Sequence, residues 1–431
     1  MEITPFKAIE TRSVGDSGAI GVLNKGIGLL EEPIRHDQVA QRGWNLLRED
    51  LTLPAAVLRQ DLLEHNLEWM RQFAAAYHAR LAPHGKTTMA PRLFSMQLAA
   101  GAWGITLATA HQTHVAYAHG VRRVLMANQL IGKPNMALIA TLLRDPGFEF
   151  YCLIDSAVQV NQIGEYFSRC GLRLNVLLEV GADGGRAGVR TDEQLQSVLG
   201  ALARWSGTLA LCGVEVYEGA VDGEAAIRSL LERTVEVTRQ IAAKSLFERS
   251  PILLSGAGSA WYDVVAEVFS AGDLASPVET VLRPGCYLTH DIGAYRAAQA
   301  RILKNNPVAR QLGEGLEPAL QVWAYVQSIP EPEKAIIGLG RRDAAFDSGL
   351  PVPALHFRPG QTAPSPVPGH WALTRIMDQH AYLQVAGRDD IQPGDMIAFN
   401  IAHPCLTFDK WRVLALVNRS YDVLDLIETF F

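Results

Sequence analysis

At 431 residues the chain is longer than one hydrophobic core sustains, so two domains are expected. Its 48% hydrophobic and 19% charged residues are ordinary for a globular protein, and a net charge of −6 with a pI near 6.1 excludes the basic footprint of a nucleic-acid or anionic-membrane binder. No apolar run approaches the length of a membrane span, and residues 1–10 have no basic segment leading into an apolar one, so a cytoplasmic enzyme is expected. The five cysteines are scattered; Cys152, Cys212 and Cys286 sit in apolar runs and read as small reduced core residues.

From about residue 50 to residue 300 one grammar repeats: a short apolar run, a polar or glycine-bearing turn, then a helical stretch. The helix expected at 61–77 has Asp61 placed to cap it. The first apolar run, 80–82, ends at Pro83-His84-Gly85-Lys86. Further runs follow at 104–109, 124–128, 149–155, 172–180, 209–217, 251–255 and 280–282. The helix at 191–204 opens on Thr-Asp-Glu, with acids where the helix dipole favours them, and that at 224–244 carries Leu230, Leu231, Val235 and Val237 among its apolar positions. Eight strands separated by crossover helices predict an α/β fold, a (β/α)8 TIM-type barrel over 51–300. A doubly wound open sheet is the other architecture eight strands allow, but no G-x-G-x-x-G follows the first strand. After residue 300 the pattern becomes short β runs at 321–327, 334–338, 381–386, 395–400 and 411–418. Proline- and glycine-bearing turns separate them at 329–332, 351–353, 358–360 and 363–368. This predicts a smaller, mainly antiparallel β domain over 301–431. Residues 1–50 are too short to fold alone and are expected to pack on one of the two domains, adding a strand to the C-terminal one.

Barrel active sites form where strands end, which directs attention to the residues just after each run. Lys86 follows the first run directly; it is either a Schiff-base lysine or a surface loop residue. The seventh run ends in Ser255-Gly256-Ala257-Gly258-Ser259 before a helical stretch, where small residues, hydroxyls and free N–H groups suit a phosphate. After the fifth run, Glu179-Val180-Gly181-Ala182-Asp183-Gly184-Gly185-Arg186 places an arginine in a glycine-rich loop; a structural turn explains the glycines equally well. Tyr217, at the end of the sixth run, either faces the same mouth or is a half-buried aromatic. In the β domain, His403-Pro404-Cys405 follows a β run. Residues two apart in extended chain share a face, so imidazole and thiolate are placed to hold one metal, Zn²⁺ before Mg²⁺ or Mn²⁺. A buried free cysteine is the plainer alternative. His111 and His114, three apart on an expected helix, read as an exposed face.

Taken together and in order, these motifs resemble the D-threonine aldolase and D-serine dehydratase family of fold-type III pyridoxal phosphate (PLP) enzymes, relatives of alanine racemase. The resemblance runs from Leu53-Pro54-Ala55 and the Asn66-bearing helix through Pro83-His84-Gly85-Lys86-Thr87 (family R-P-H-x-K-T). It continues with 181–188 (family D-x-G-x-x-R-x-G), the strand end at 213–219, the 255–259 loop and Arg283-Pro284-Gly285-Cys286-Tyr287 (family R-P-G-x-Y). It ends at His403-Pro404-Cys405. The resemblance implies that Lys86 carries PLP as a Schiff base and acts on the substrate's α-proton. Ser255, Gly256, Gly258 and Ser259 would hold the phosphate with Tyr287 nearby, and Arg186 and Tyr217 would flank the ring. His403 and Cys405 would bind the metal, with His403 taking part in catalysis. Gly85 stands where many members have a small residue such as alanine. Cys405 tilts the reading toward dehydratases, which resemble His-plus-Cys zinc enzymes, and away from aldolases with His plus Asp and Mg²⁺ or Mn²⁺. The expected reaction is therefore dehydration and deamination of D-serine or D-threonine to a 2-oxo acid and ammonia. The alternative is aldol cleavage of D-threonine or D-3-hydroxyaspartate to glycine and an aldehyde. Racemisation and non-catalytic PLP binding fit less well, because a metal pair stands where a racemase would place a tyrosine and because PLP-homeostasis modules resemble single barrels. The expected partners are a small D-amino acid and a second copy of the chain, with neither nucleic acid nor membrane.

Overall fold

The computed structural model describes residues 20–21, 23–30, 32–272 and 274–431. The chain forms two compact units, one from Arg71–Lys86 and Phe94–Gly285, the other from residues 20–70, Thr87–Leu93 and Cys286–Phe431. These divisions differ from the expected breaks at 50 and 300. The physical reason is the first strand, β1 (Ala55–Arg59), which lies inside the second unit's sheet.

The first unit holds eight parallel strands: β2 (Arg80–Leu81), β3 (Ile105–Leu107), β4 (Arg123–Gln129), β5 (Glu149–Ile154), β6 (Leu174–Val180), β7 (Leu209–Val216), β8 (Ile252–Gly256) and β9 (Val278–Leu282). The sheet runs β2-β9-β8-β7-β6-β5-β4-β3. Its two ends are joined by a parallel bridge between His84 and Thr106 and by the Trp103 N–H on Leu81 O at 2.6 Å, so the sheet closes as a barrel. Ala82, Leu125, Tyr151, Leu153, Leu177, Leu253 and Val281 pack together in its core. The strands read as continuous apolar runs because both faces are covered; all eight residues of β7 are buried. The crossover helix Asp192–Arg204 begins where its sequence says. Thr191 Oγ1 accepts the Gln194 N–H at 3.2 Å, and the Gln194 side chain returns to the Thr191 N–H, a reciprocal cap. Asp61 does otherwise. It sits within the first turn of Gln60–Ala76, and its carboxylate pairs with Arg59 and Arg419 at 3.0 Å rather than capping.

The second unit adds β10 (Leu320–Glu331), β11 (Lys334–Ile337), β12 (Val352–Phe357), β13 (Ser365–Pro366), β14 (Ala372–Ile376), β15 (Ala381–Gln384), β16 (Met396–Asn400), β17 (Val413–Val417) and β18 (Val423–Glu428). The main path is β13-β12-β16-β10-β1-β17-β18, antiparallel except where β1 meets β17. Alternate residues face one core: Ala55 and Val57, Met396 and Ala398, and Val413, Ala415 and Val417 surround Trp323. Of residues 1–50, those described contribute Ile27, Trp44 and Leu46 to that core and isolated bridges Ile20–Ile34 and Asn45–Asp422, with no longer strand among them; residues 1–19 lie outside the described residues. Residues 351–353, read as a turn, instead open β12, and the register against β16 slips beside Pro353, where a residue without an N–H is tolerated.

Candidate active site

Lys86 lies exposed just beyond β2, in the tight turn Gly85–Thr87. Gly85 is there for lack of room: a Cβ would stand 2.7 Å from Phe94 Cε1 and 2.9 Å from Ile105 Cγ2. The departure from alanine at this position thus suits the packing around it. His84 carries a buried Nδ1 with no partner, and its imidazole is held well below its usual range by burial first, then by the charges of Lys86 and Arg283.

The loop after β8 has the features of an anion cradle. Ala257 adopts φ +80°, a conformation strained for a side-chain-bearing residue. The Gly258 N–H already donates to a carboxylate, Glu218 Oε1 at 2.6 Å, and Ser259 Oγ accepts the Gly285 N–H at 3.0 Å. The helix Tyr262–Ala271 follows. Ser255 lies inside β8, fully buried, with its hydroxyl donating to Val281 O at 3.0 Å.

Arg186 is exposed on the loop after β6, its Nη2 4.0 Å from Glu179 Oε1. That loop folds back on itself through Gly181 N–H to Val189 O (3.0 Å) and Val189 N–H to Glu179 O (2.8 Å), and it needs Gly188 at φ +91°. Tyr217 is 43% exposed, its hydroxyl end lying where a Cβ on Gly219 would be. Beneath these residues is a charged layer that strand patterning concealed. Glu179, Glu215, Glu218 and Arg283 are all buried. Arg283 Nη2 pairs with Glu215 Oε1 and also donates to Val216 O at 3.1 Å. Gln129 Nε2 donates to Glu179 Oε2 at 2.5 Å. Burial, reinforced by the Glu215 charge, pushes the Glu179 carboxyl up to about 7. Burial raises Glu215 and Glu218 as well, against the pull of Arg283 on Glu215 and of the Gly258 N–H on Glu218. Glu215 Oε2, Glu218 Oε2 and Arg283 Nε have no partner. The signal was present in the sequence as acids at strand ends, within motifs read only for their glycines and tyrosine.

The second unit holds the metal-type pair. His403 and Cys405 do meet, but not through extended chain: Pro404 is helical and Cys405 begins the turn Cys405–Phe408. Asp347 Oδ2 lies 2.6 Å from His403 Nδ1, which fixes the ring and leaves Nε2 as the available nitrogen. Hydrogen bonds to Cys405 and then to Asp347 raise His403 to about 9. Cys405 is held below the usual thiol range, first by Cys286, whose Sγ is 3.6 Å away, then by His403 and Thr87. Asp347 and Cys286 were not singled out for a role from the sequence; nothing in their spacing ties them to His403-Pro404-Cys405. Tyr287 is buried in this unit. His111 and His114 lie on the helix Ala110–Ala118; His111 is exposed as expected, whereas His114 is half-buried.

The alanine racemase N-terminal domain model matches residues 58–290, and the putative serine dehydratase domain model matches 319–417. D-threonine aldolase of Arthrobacter sp. is 30% identical over 80% of this chain and 83% of its own. The chain belongs to the D-threonine aldolase and D-serine dehydratase family of alanine-racemase-like, fold-type III enzymes. Within that family, D-threo-3-hydroxyaspartate dehydratase of Delftia sp. strain HT23 is 31% identical over 42% of this chain and 48% of its own. The solved D-threonine aldolase of Filomicrobium marinum shares the fold at TM-score 0.72 and 22% identity, covering 90% of this chain and 97% of its own. Solved D-threo-3-hydroxyaspartate dehydratase structures include one of a cysteine-to-alanine mutant in the metal-free form.

The residues present fit the family's cofactor. The 256–259 loop binds an acidic group through its amides already, buried polar atoms of His84, Arg283, Glu215 and Glu218 stand unpartnered, and Lys86 supplies the amine. They also fit a metal: an imidazole oriented by a carboxylate beside a thiol whose ionisation is favoured suits Zn²⁺. Among the described residues no group of three or more His, Cys, Asp or Glu is set to hold one. The fold and the family establish a PLP-dependent lyase of D-configured hydroxy amino acids. No described helix is long and apolar enough to cross a membrane.

Proposed function

We propose that the chain dehydrates and deaminates a D-configured β-hydroxy amino acid, D-serine or D-threonine, to a 2-oxo acid and ammonia, as a PLP- and zinc-dependent enzyme. The observation that carries the choice is the thiol: Cys405 is paired with His403, where harder ions would prefer carboxylate oxygen. PLP supplies the electron sink that makes the α-proton acidic, and zinc supplies Lewis acidity to the β-hydroxyl.

The protein's own groups do the rest. Gly256, Gly258 and Ser259 would hold the phosphate end through N–H and O–H donors. Arg186 and Tyr217 would flank the ring, and Tyr287 remains the expected further phosphate neighbour. Lys86 would hold the cofactor through its amine, and its Nζ would take the α-proton of the substrate. His403 and Cys405 hold the metal, and Asp347 keeps the imidazole aimed. The buried Glu215–Arg283 pair fixes the charge beneath Arg186.

Aldol cleavage is the second reading, favoured by the 30% identity to a D-threonine aldolase. Incubating PLP-loaded protein with D-serine, D-threonine and D-3-hydroxyaspartate, then identifying products, separates the two. The reading expects pyruvate or 2-oxobutanoate with ammonia from the first two; glycine and an aldehyde as the sole products would replace it with the aldolase.

A further inference from the structure

Cys286 and Cys405 are 119 positions apart in sequence, yet their sulfurs stand 3.6 Å from each other. Both are reduced. Thr87 Oγ1 lies 3.5 Å from Cys405 Sγ and 3.9 Å from Cys286 Sγ, so it flanks the pair rather than separating it. All three residues belong to the second unit. A disulfide needs an S–S distance of about 2.05 Å, so the sulfurs must approach by roughly 1.5 Å. Cys405 starts a helical turn of four residues, Cys405–Phe408, a short element. The remaining cysteines offer no such partner: Cys152 and Cys212 are buried in the barrel unit, and Cys170 ends a helix there. Two thiols in contact, one in the proposed metal pair, constitute a modification site.

We propose that Cys286 and Cys405 form a reversible intrachain disulfide, and that a peroxide oxidant thereby withdraws Cys405 from the metal; the second half rests on the metal reading above. The Cys405 thiolate attacks a peroxide oxygen, the O–O bond breaks, and hydroxide leaves with a proton as water. The Cys286 thiol then attacks the resulting sulfenic sulfur, its proton passes to the departing oxygen, the S–O bond breaks and a second water leaves. Two thiols and one hydrogen peroxide become one disulfide and two waters, and a dithiol reductant reverses the change. Cys286 in this scheme protects Cys405 from irreversible oxidation.

The test treats the metal-loaded holoprotein with hydrogen peroxide, blocks free thiols with N-ethylmaleimide, digests without reductant and maps peptides by mass spectrometry, with metal release followed in parallel. The expected result is a Cys286 peptide joined to a Cys405 peptide, two hydrogens lighter than the pair, abolished by dithiothreitol and accompanied by metal release. In Cys286→Ser, Cys405 should advance to sulfinic acid and resist dithiothreitol. Both cysteines blocked by maleimide after peroxide has oxidised Cys170 would overturn the proposal, as would sulfinic Cys405 in the unaltered protein. A disulfide in a protein that never held metal would sustain the disulfide and sink the metal reading. Metal bound before treatment and two maleimide-blocked thiols after it would do the reverse.

Discussion

The two units put their chemistry in place by different means. In the barrel, the candidate groups sit where parallel strands end, and position along the chain is nearly position in the proposed site: Lys86, Arg186, Tyr217 and residues 256–259 each lie at a strand end or in the loop that follows it. In the antiparallel unit the metal-type pair depends on residues far off in sequence. Asp347 orients His403 from 56 positions away, and Cys286 touches Cys405 from 119. A barrel rim is therefore readable from strand order, whereas a site in a mixed-order antiparallel sheet emerges only once its loops are folded. On the proposed reading, most cofactor-holding groups lie in the barrel unit and the metal pair in the other.

The comparison breaks most visibly at Lys86. Lys86→Ala should lose activity by roughly a thousandfold or more, since the α-proton loses its base, and lose the visible absorbance of bound cofactor. Metal content should stay at the level of the unaltered protein; metal analysis beside an absorbance spectrum checks both. His403→Ala should do the converse, with metal lost, cofactor absorbance kept and turnover down by about a hundredfold or more. A variant that loses both groups at once would contradict the division.

The buried charge layer is a barrel feature with its own signature. Arg283→Ala leaves Glu215 buried and unpaired, which costs about 3–5 kcal/mol and should lower the thermal midpoint accordingly. Glu179 gives a smaller, pH-dependent effect. Its carboxyl rises from an ordinary 4.5 to about 7 in the folded chain. The folded protein therefore binds more protons than the unfolded one between those values, and stability falls as pH rises through that window. Glu179→Gln should remove that slope and raise the midpoint by about 2–4 °C at pH 8, read from melting curves across pH 4.5–8. An unchanged slope would place the titration elsewhere.

Much of this was legible in the sequence, for physical reasons that differ by element. The eight barrel strands announced themselves because two covered faces demand continuous apolar residues, as in β7. The Asp192–Arg204 helix was written in its cap. β1 escaped notice as a strand of the other unit because it pairs with β10, more than 260 residues on, and nothing local records that partner. β12 hid behind Pro353, a residue that reads as a turn yet sits at a register slip. The bond of the Ser255 hydroxyl to Val281 O was not legible either, since a hydroxyl beside glycines reads as a phosphate donor from sequence alone. Glu179, Glu215 and Glu218 stood in quoted motifs, but their burial, which gives them unusual proton affinity, is a tertiary property.

The central proposal is that Lys86 moves the α-proton and the His403–Cys405 pair serves the hydroxyl. The most direct measurement follows D-serine by proton NMR in D2O with PLP-loaded protein stripped of metal by chelation. The account predicts that the Cα–H signal is lost to deuterium while pyruvate does not form, and that zinc restores pyruvate. Pyruvate formed at full rate in chelator, or Cα–H exchange lost together with elimination, would contradict it.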